Sequence, residues 1–167
     1  MKAMTRVRTL RPDEWRLWQD LRLQALATSP EAFGDTLDRA RSQSDSEWQE
    51  IVASSARPDR TFLVVERPGR AVGMARVYLA DDDPSRAELF SMWVMPAERG
   101  TGAGRALVDA AIDWARSNGV SELTLHVTEG NEPATRLYEA CGFVDTGDRE
   151  PVRPGSGRWE KVMVLRL

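Results

Sequence analysis

The feature that most constrains how this 167-residue chain can fold is a long amphipathic helix set between two apolar strands. "AELFSMWVM" (87–95) reads as a strand ended by Pro96. "ERGTGAGRALVDAAIDWARSNG" (98–119) reads as a glycine-opened helix stopped by Asn118 and Gly119. "ELTLHV" (122–127) reads as the next strand. Two strands joined through such a helix cannot form a hairpin. They need a crossover, which is right-handed and leaves them parallel.

The remaining segments can be placed around that unit. "TRVRTL" (5–10) alternates and predicts a strand. Pro12 opens a helix to about Ala27, with Trp15, Trp18, Leu21 and Ala25 on one stripe. "TSPEAFGDT" (28–36) breaks it, and "SEWQEIVASS" (46–55) is a second helix carrying Trp48, Ile51 and Val52. "TFLVVE" (61–66) and "AVGMARVYLA" (71–80) are strands flanking the turn "RPGR". "NEPATRLYEACG" (131–142) is a short helix, and "GFVDTGD" and "WEKVMVLRL" are the last strands. The order β-α-α-β-β-β-α-β-α-β-β predicts an α/β or α+β sandwich: a mixed sheet with helices on both faces. No repeat or linker divides the chain, so residues 1–167 are read as one domain.

Charge and composition exclude several classes. A net charge of −3 advertises no nucleic-acid binding, and 41% hydrophobic residues rule out wholesale disorder. No apolar run approaches a membrane span, and "MKAMTRVRTLRPDEW" lacks the apolar region of a signal peptide. Cys141 is the only cysteine, so no internal disulfide is possible, which fits a cytoplasmic protein. A lone Cys with a lone His, His126, is compatible with a thiol enzyme; Cys141 in "YEACGF" reads instead as a small apolar packing residue at a helix end.

The turn "RGTGAGR" carries the clearest chemistry. Gly100, Gly102 and Gly104 let backbone approach a ligand closely. The helix that follows offers N–H groups without intrahelical partners, plus the positive end of its dipole. A phosphate suits such a site, and Arg99 and Arg105 flank it. Neither standard nucleotide pattern fits: after Gly104 come Arg105 and Ala106 rather than Lys and Ser/Thr, and no frame completes G-x-G-x-x-G. A merely tight loop is the plain alternative.

Arg99 to Gly104 matches [QR]-x-x-G-x-[GA], the motif of the GNAT superfamily of acetyl-CoA-dependent N-acetyltransferases. "LTLHVTEGNEPATRLYEACGF" resembles the family's following segment, with Asn131, Ala134, Leu137, Tyr138, Gly142 and Phe143 in register. The resemblance is strong over about residues 86 to 143. It implies the family's mostly antiparallel seven-stranded sheet, with a parallel strand pair splayed to form a coenzyme cleft. It implies acetyl-CoA as cosubstrate, its diphosphate on Arg99, Gly100, Thr101, Gly102, Ala103, Gly104 and Arg105. Met92, Trp93 and Val94 match the strand end whose backbone bonds the pantetheine arm, with Asn131 contacting the same arm. Dimers are common among relatives, so a homodimer is compatible with the resemblance.

Acetyl transfer to an amine needs a base for the ammonium proton and an acid for the leaving thiolate. Tyr138 matches the family's acid; Asn131, Ala134 and Tyr138 share a helix face at i, i+3, i+7. A tyrosine that only packs is the alternative. Glu88 lies where histone-type members carry their glutamate base, and on a regular strand Glu88, Phe90, Met92 and Val94 would share one face. His126 is a rival base or a structural histidine, and water remains a further candidate. Ser91 has no His/Asp partner pattern and receives no role. Asp81, Asp82 and Asp83 read as a solvated turn. Phe33 lies in the loop between the first two helices, which the resemblance implies faces the substrate, so it is a candidate for lining the acceptor pocket; "PVRPGSGRW" can cover the same cleft. No residue pattern suggests a metal. The acceptor is expected to be a primary amine on a small molecule or a protein. A non-catalytic acyl-CoA sensor and a nucleotide-binding regulator are the alternatives from other classes.

Overall fold

A computed structural model describes residues 4–167. Seven strands form one sheet in the order β1-β2-β3-β4-β5-β7-β6. They are β1 (Arg6–Thr9), β2 (Arg60–Arg67), β3 (Arg70–Leu79), β4 (Arg86–Val94), β5 (Glu122–Thr128), β6 (Val144–Pro151) and β7 (Trp159–Arg166). Every neighbouring pair is antiparallel except β4 and β5, which are parallel. The crossover between those two is α4 (Ala103–Ser117), as the opening segment required.

Alternation along the strands assigns each face its helices. On β2, Leu63 and Val65 face α4, packing with its Leu107, Val108, Ala111 and Ala115. Phe62 and Val64 face the other way, against Trp18, Leu21 and Ala25 of α1 (Trp15–Thr28) and Trp48 and Val52 of α3 (Asp45–Ala53). The last helix, α5 (Glu132–Ala140), lies on the α4 face; its Tyr138 belongs to that core. Cys141 caps α5, half-buried against the same core, and burial pushes its thiol up, so it packs rather than reacts.

Two local expectations are corrected. The first helix begins at Trp15, not at Pro12, because residues 12 and 13 are spent on a turn. Glu14 closes that turn: its carboxylate accepts from the Arg11 backbone N–H (2.7 Å) and pairs with both terminal nitrogens of Arg8 at 2.8 and 2.9 Å. A further helix, α2 (Leu37–Arg41), stands in a segment with no legible stripe. Five residues are too few for amphipathic periodicity, and α2 holds by the Thr36 cap and the burial of Ala40. By contrast α3 carries a full capping box, Ser44 with Glu47.

The parallel joint is short. β4 and β5 pair only from Arg86↔Glu122 to Leu89↔Leu125, although both strands continue beyond. Splaying begins where β4 departs from regular pleating. Ser91 has φ 55, the only positive φ outside glycine among the described residues. There the β3 register jumps from Arg76↔Phe90 to Met74↔Trp93, so Ser91 and Met92 together oppose Ala75. This is a β-bulge. It overturns the shared face expected for Glu88, Phe90, Met92 and Val94. Before the bulge Ala87 and Leu89 face α4; after it Met92 and Val94 do, and Trp93 joins the α1 side. Glu88 and Phe90 therefore stand on the opposite face from Met92 and Val94.

Candidate active site

The glycine turn meets α4 with its N-terminus open. Gly102 is the N-cap at φ 92, no side chain caps it, and Gly100 is also left-handed at φ 76. Ala106 makes the first intrahelical bond, to the Gly102 carbonyl, so the N–H groups of residues 103–105 face outward without helical partners. Gly104 has a different reason to be glycine: a Cβ there would lie 3.1 Å from Leu137 Cδ2, so α4 and α5 approach closely. The Thr101 hydroxyl donates to the Glu98 carbonyl at 2.6 Å and Ala103 is buried in the core, so at these two positions the turn presents backbone rather than side chain.

A cavity of about 1240 Å³ starts at this turn and follows the splay between β4 and β5. Met92, Trp93 and Val94 line one wall, and Asn131, Ala134 and Tyr138 line the other. Gly100, Gly102, Gly104, Arg99 and Arg105 line its end at the turn. All the residues expected to contact coenzyme therefore border one cleft, save the inward-turned Thr101 and Ala103. The Arg99 guanidinium is held in place there by neutral partners: its Nε donates to the Val94 carbonyl (3.0 Å) and its Nη2 to Ser29 Oγ (3.2 Å). It braces the turn against the end of β4 and the end of α1. Arg105 is half-exposed and shares its charge with Asp109 at 3.2 Å. Asn131 caps α5, accepting from the Ala134 N–H at 3.4 Å.

A second cavity of about 240 Å³ opens on the α1 side of the sheet. It shares Phe33, Met92, Asn131 and Tyr138 with the first, so the two meet at the splay. Glu88 and His126 line the small cavity. His126 is set among three carboxylates on three strands: Nδ1 is 2.9 Å from Glu160 and 3.4 Å from Glu150, and Nε2 is 3.6 Å from Glu88. The bond to Glu160 first, then the other carboxylates, hold its imidazole above the ordinary value. Partial burial pushes the Glu88 carboxyl up, opposed by His126. Tyr138 is deeply buried, and this desolvation raises its phenol well above its ordinary value, keeping it protonated. The loops meet over the cleft: the Thr128 hydroxyl donates to the Glu31 carbonyl (3.1 Å), and Arg153 Nη1 donates to the Phe33 carbonyl (3.4 Å). Gly157, Arg158 and Trp159 line the large cavity beside Phe33, so the "PVRPGSGRW" segment does border it.

Sequence reasoning missed Arg22, Arg76 and Glu160, which also line the small cavity. Arg76 had a readable signal, a charge in the middle of the apolar run "AVGMARVYLA". Arg22 and Glu160 had none, because only the fold brings them to the cleft.

Comparison with known proteins agrees with this geometry. The family model described as "Acetyltransferase (GNAT) family" matches residues 15–143. A mycothiol acetyltransferase of Thermobispora bispora is 35% identical over 83% of this chain, which spans 46% of that relative. The chain thus spans less than half the length of the first curated relatives it matches. An IAA acetyltransferase of Azospirillum brasilense is 39% identical over 59% of this chain and 64% of its own length. Among solved structures, a Salmonella typhimurium acetyltransferase with its cofactor acetyl-CoA is 22% identical, with a TM-score of 0.81 over 98% of this chain and 94% of its own, a likeness of fold. Acetyl-CoA is the cosubstrate of such enzymes, and the open α4 N-terminus with its glycine turn fits a diphosphate. By sequence, and by a seven-stranded sheet splayed at its one parallel pair, the chain belongs to the GNAT acetyltransferase family.

Proposed function

We propose that this chain is an N-acetyltransferase that passes acetyl from acetyl-CoA directly to a primary amine, both bound at once. The observation that carries the reading is the meeting of two cavities at the β4–β5 splay. One runs to an uncapped helix N-terminus, the other holds a carboxylate and a histidine, and Tyr138 borders both.

In this reading the backbone N–H groups of the turn and Arg105 bind the diphosphate. The unpaired edges of β4 beyond Leu89 and β5 beyond Leu125 have free backbone groups for an extended arm, in the manner of an added strand. The cosubstrate supplies an acetyl thioester at the splay. Glu88 takes the proton from the incoming ammonium at its carboxylate oxygen, directly or through water. Its raised basicity suits that task better than an ordinary surface glutamate. His126, held by Glu160, tempers that rise when its imidazole is protonated. Tyr138 Oη gives a proton to the departing sulfur, and its burial ensures that the proton is present. No acyl-enzyme is needed, because donor and acceptor cavities are joined.

Calorimetry with acetyl-CoA and a thiol-release assay across a panel of amines test this together. The expectation is saturable binding and acetylated product identified by mass spectrometry. Tight binding with no turnover on any amine, peptide or lysate would replace the reading with an acyl-CoA sensor. Absence of binding would remove both.

A further inference from the structure

Two arginines in the small cavity are unaccounted for by the steps above. Arg76 rises from the middle of β3, largely buried, with its Nε donating to Ser91 Oγ at 3.0 Å. Its guanidinium lies 4.4 Å from the Phe90 ring and 5.5 to 5.8 Å from the rings of Phe62, Tyr78 and Trp18. Arg22, from α1, lies 5.0 Å from the Phe33 ring. Its nearest carboxylate, Asp35, is at 3.6 Å, beyond a hydrogen bond, and is already gripped through both oxygens by Arg39. The Arg22 Nη1 is buried without a partner among the described residues. Burial, and then the nearby Arg76, push the Arg22 guanidinium down to about 10.

Two buried guanidiniums share one small cavity, and the carboxylate within ion-pair distance of Arg22, Asp35, is divided between it and Arg39, so the pair is under-compensated. The fold spends stability on this pair, and an anion entering from outside would recover it. Guanidinium forks suit a planar oxyanion in particular. Elsewhere along the same cavity stand Glu88, His126 and Glu160, a predominantly acidic group that favours an ammonium. The cavity is therefore bipolar, and its 240 Å³ equals the liquid volume of about eight water molecules, room for a small molecule rather than a folded segment.

We propose that the acceptor is a small zwitterion of the amino-acid class: its amine meets Glu88 and its oxyanion is held by Arg22 and Arg76. The assignment rests on the acetyltransferase reading and names the substrate class of that site. The same charges that seat such a molecule reject a polyamine, whose second cation would meet the guanidiniums, and give a neutral alkylamine nothing to neutralise them.

The test is a set of matched acceptors of equal size: amino acids, their carboxamides and their phosphonate analogues. Thiol release is measured at saturating acetyl-CoA, and calorimetry follows binding of the same molecules to the protein loaded with coenzyme A. The expected result is that an oxyanion-bearing member exceeds its carboxamide at least ten-fold in kcat/KM; whether carboxylate or phosphonate leads tells which oxyanion the site takes. In Arg22→Gln the acid-to-amide ratio should fall toward one, mainly through KM, and Arg22→Lys should restore part of it. The wild-type comparison needs no variant, so a misfolded Arg22→Gln does not blunt the test. Carboxamides used as well as acids, with coenzyme binding intact, would overturn this assignment alone. Failure of coenzyme A to bind would overturn the acetyltransferase reading beneath it.

Discussion

Tyr138 stands where the two cavities join, its ring edge-on to Phe143 at 6.0 Å. Tyr138→Phe keeps that packing and removes only the acidic proton. Turnover should fall about 100-fold, the lower range for a general acid, while coenzyme affinity measured by calorimetry stays close to wild type. An unchanged kcat would strip Tyr138 of the acid role. His126 gives a pH prediction at the same scale. Its folded pKa lies above the ordinary 6.5, so folding favours the imidazolium. The stability this contributes is full below 6.5 and is lost as pH rises through the raised value. The stability gap between wild type and His126→Gln, from urea unfolding, should therefore be wider at pH 6 than at pH 9. The effect is about 1 kcal/mol or less, since the ring is a quarter exposed. Tyr138 and Asn131 could be singled out in the sequence because they match the family motif in register, and helix spacing puts them on one face. Glu88, His126 and Glu160 come from three strands, and no local pattern announces that they meet.

The bulge in β4 does most at the scale of elements. "AELFSMWVM" is apolar on both faces, since helices cover both, so no alternation existed in the sequence to reveal a slip of register. The strand itself, its parallel partner and the crossover helix were all legible; the switch of faces at Ser91 was not. That switch leaves Glu88 on the acceptor side while Met92 and Val94 line the other wall. Gly73 of β3 anchors the far side of the bulge, paired with Val94. A Cβ on Gly73 would lie 2.7 Å from the Trp93 carbonyl oxygen and 2.9 Å from Val65 Cγ1. Backbone cannot yield as a side-chain tip can. Gly73→Ala should cost about 1–3 kcal/mol in chemical denaturation and weaken coenzyme binding by shifting the end of β4. In contrast, Gly104→Ala meets side-chain tips alone, Leu137 the nearest at 3.1 Å, and its gain in helix propensity offsets the squeeze, so stability should change little.

Taken whole, the molecule is two sheet portions, β1 to β4 and β5 with β7 and β6, hinged on four residue pairs from Arg86 to Leu89. Beyond those pairs the halves are joined by side chains, loops and the α4 crossover, such as Thr128 to Glu31 and Arg153 to Phe33. The cleft between them is thus a short-paired, splayed seam of the sheet, and a ligand lying in it would bind the folded form alone. Linkage then predicts stabilisation of about 2.7 kcal/mol at acetyl-CoA one hundred times its dissociation constant. For a chain of this length that corresponds to a rise of about 5–11 °C in Tm by calorimetry. Hydrogen exchange should slow at the open α4 N-terminus and along residues 90–94 and 126–128, where strand edges lack partners. Arg22→Gln should leave that pattern intact, since Arg22 borders only the small cavity. Protection confined to β6 or to α2, with the α4 turn still exchanging freely, would place the ligand outside the seam and break the link between this fold and its proposed chemistry.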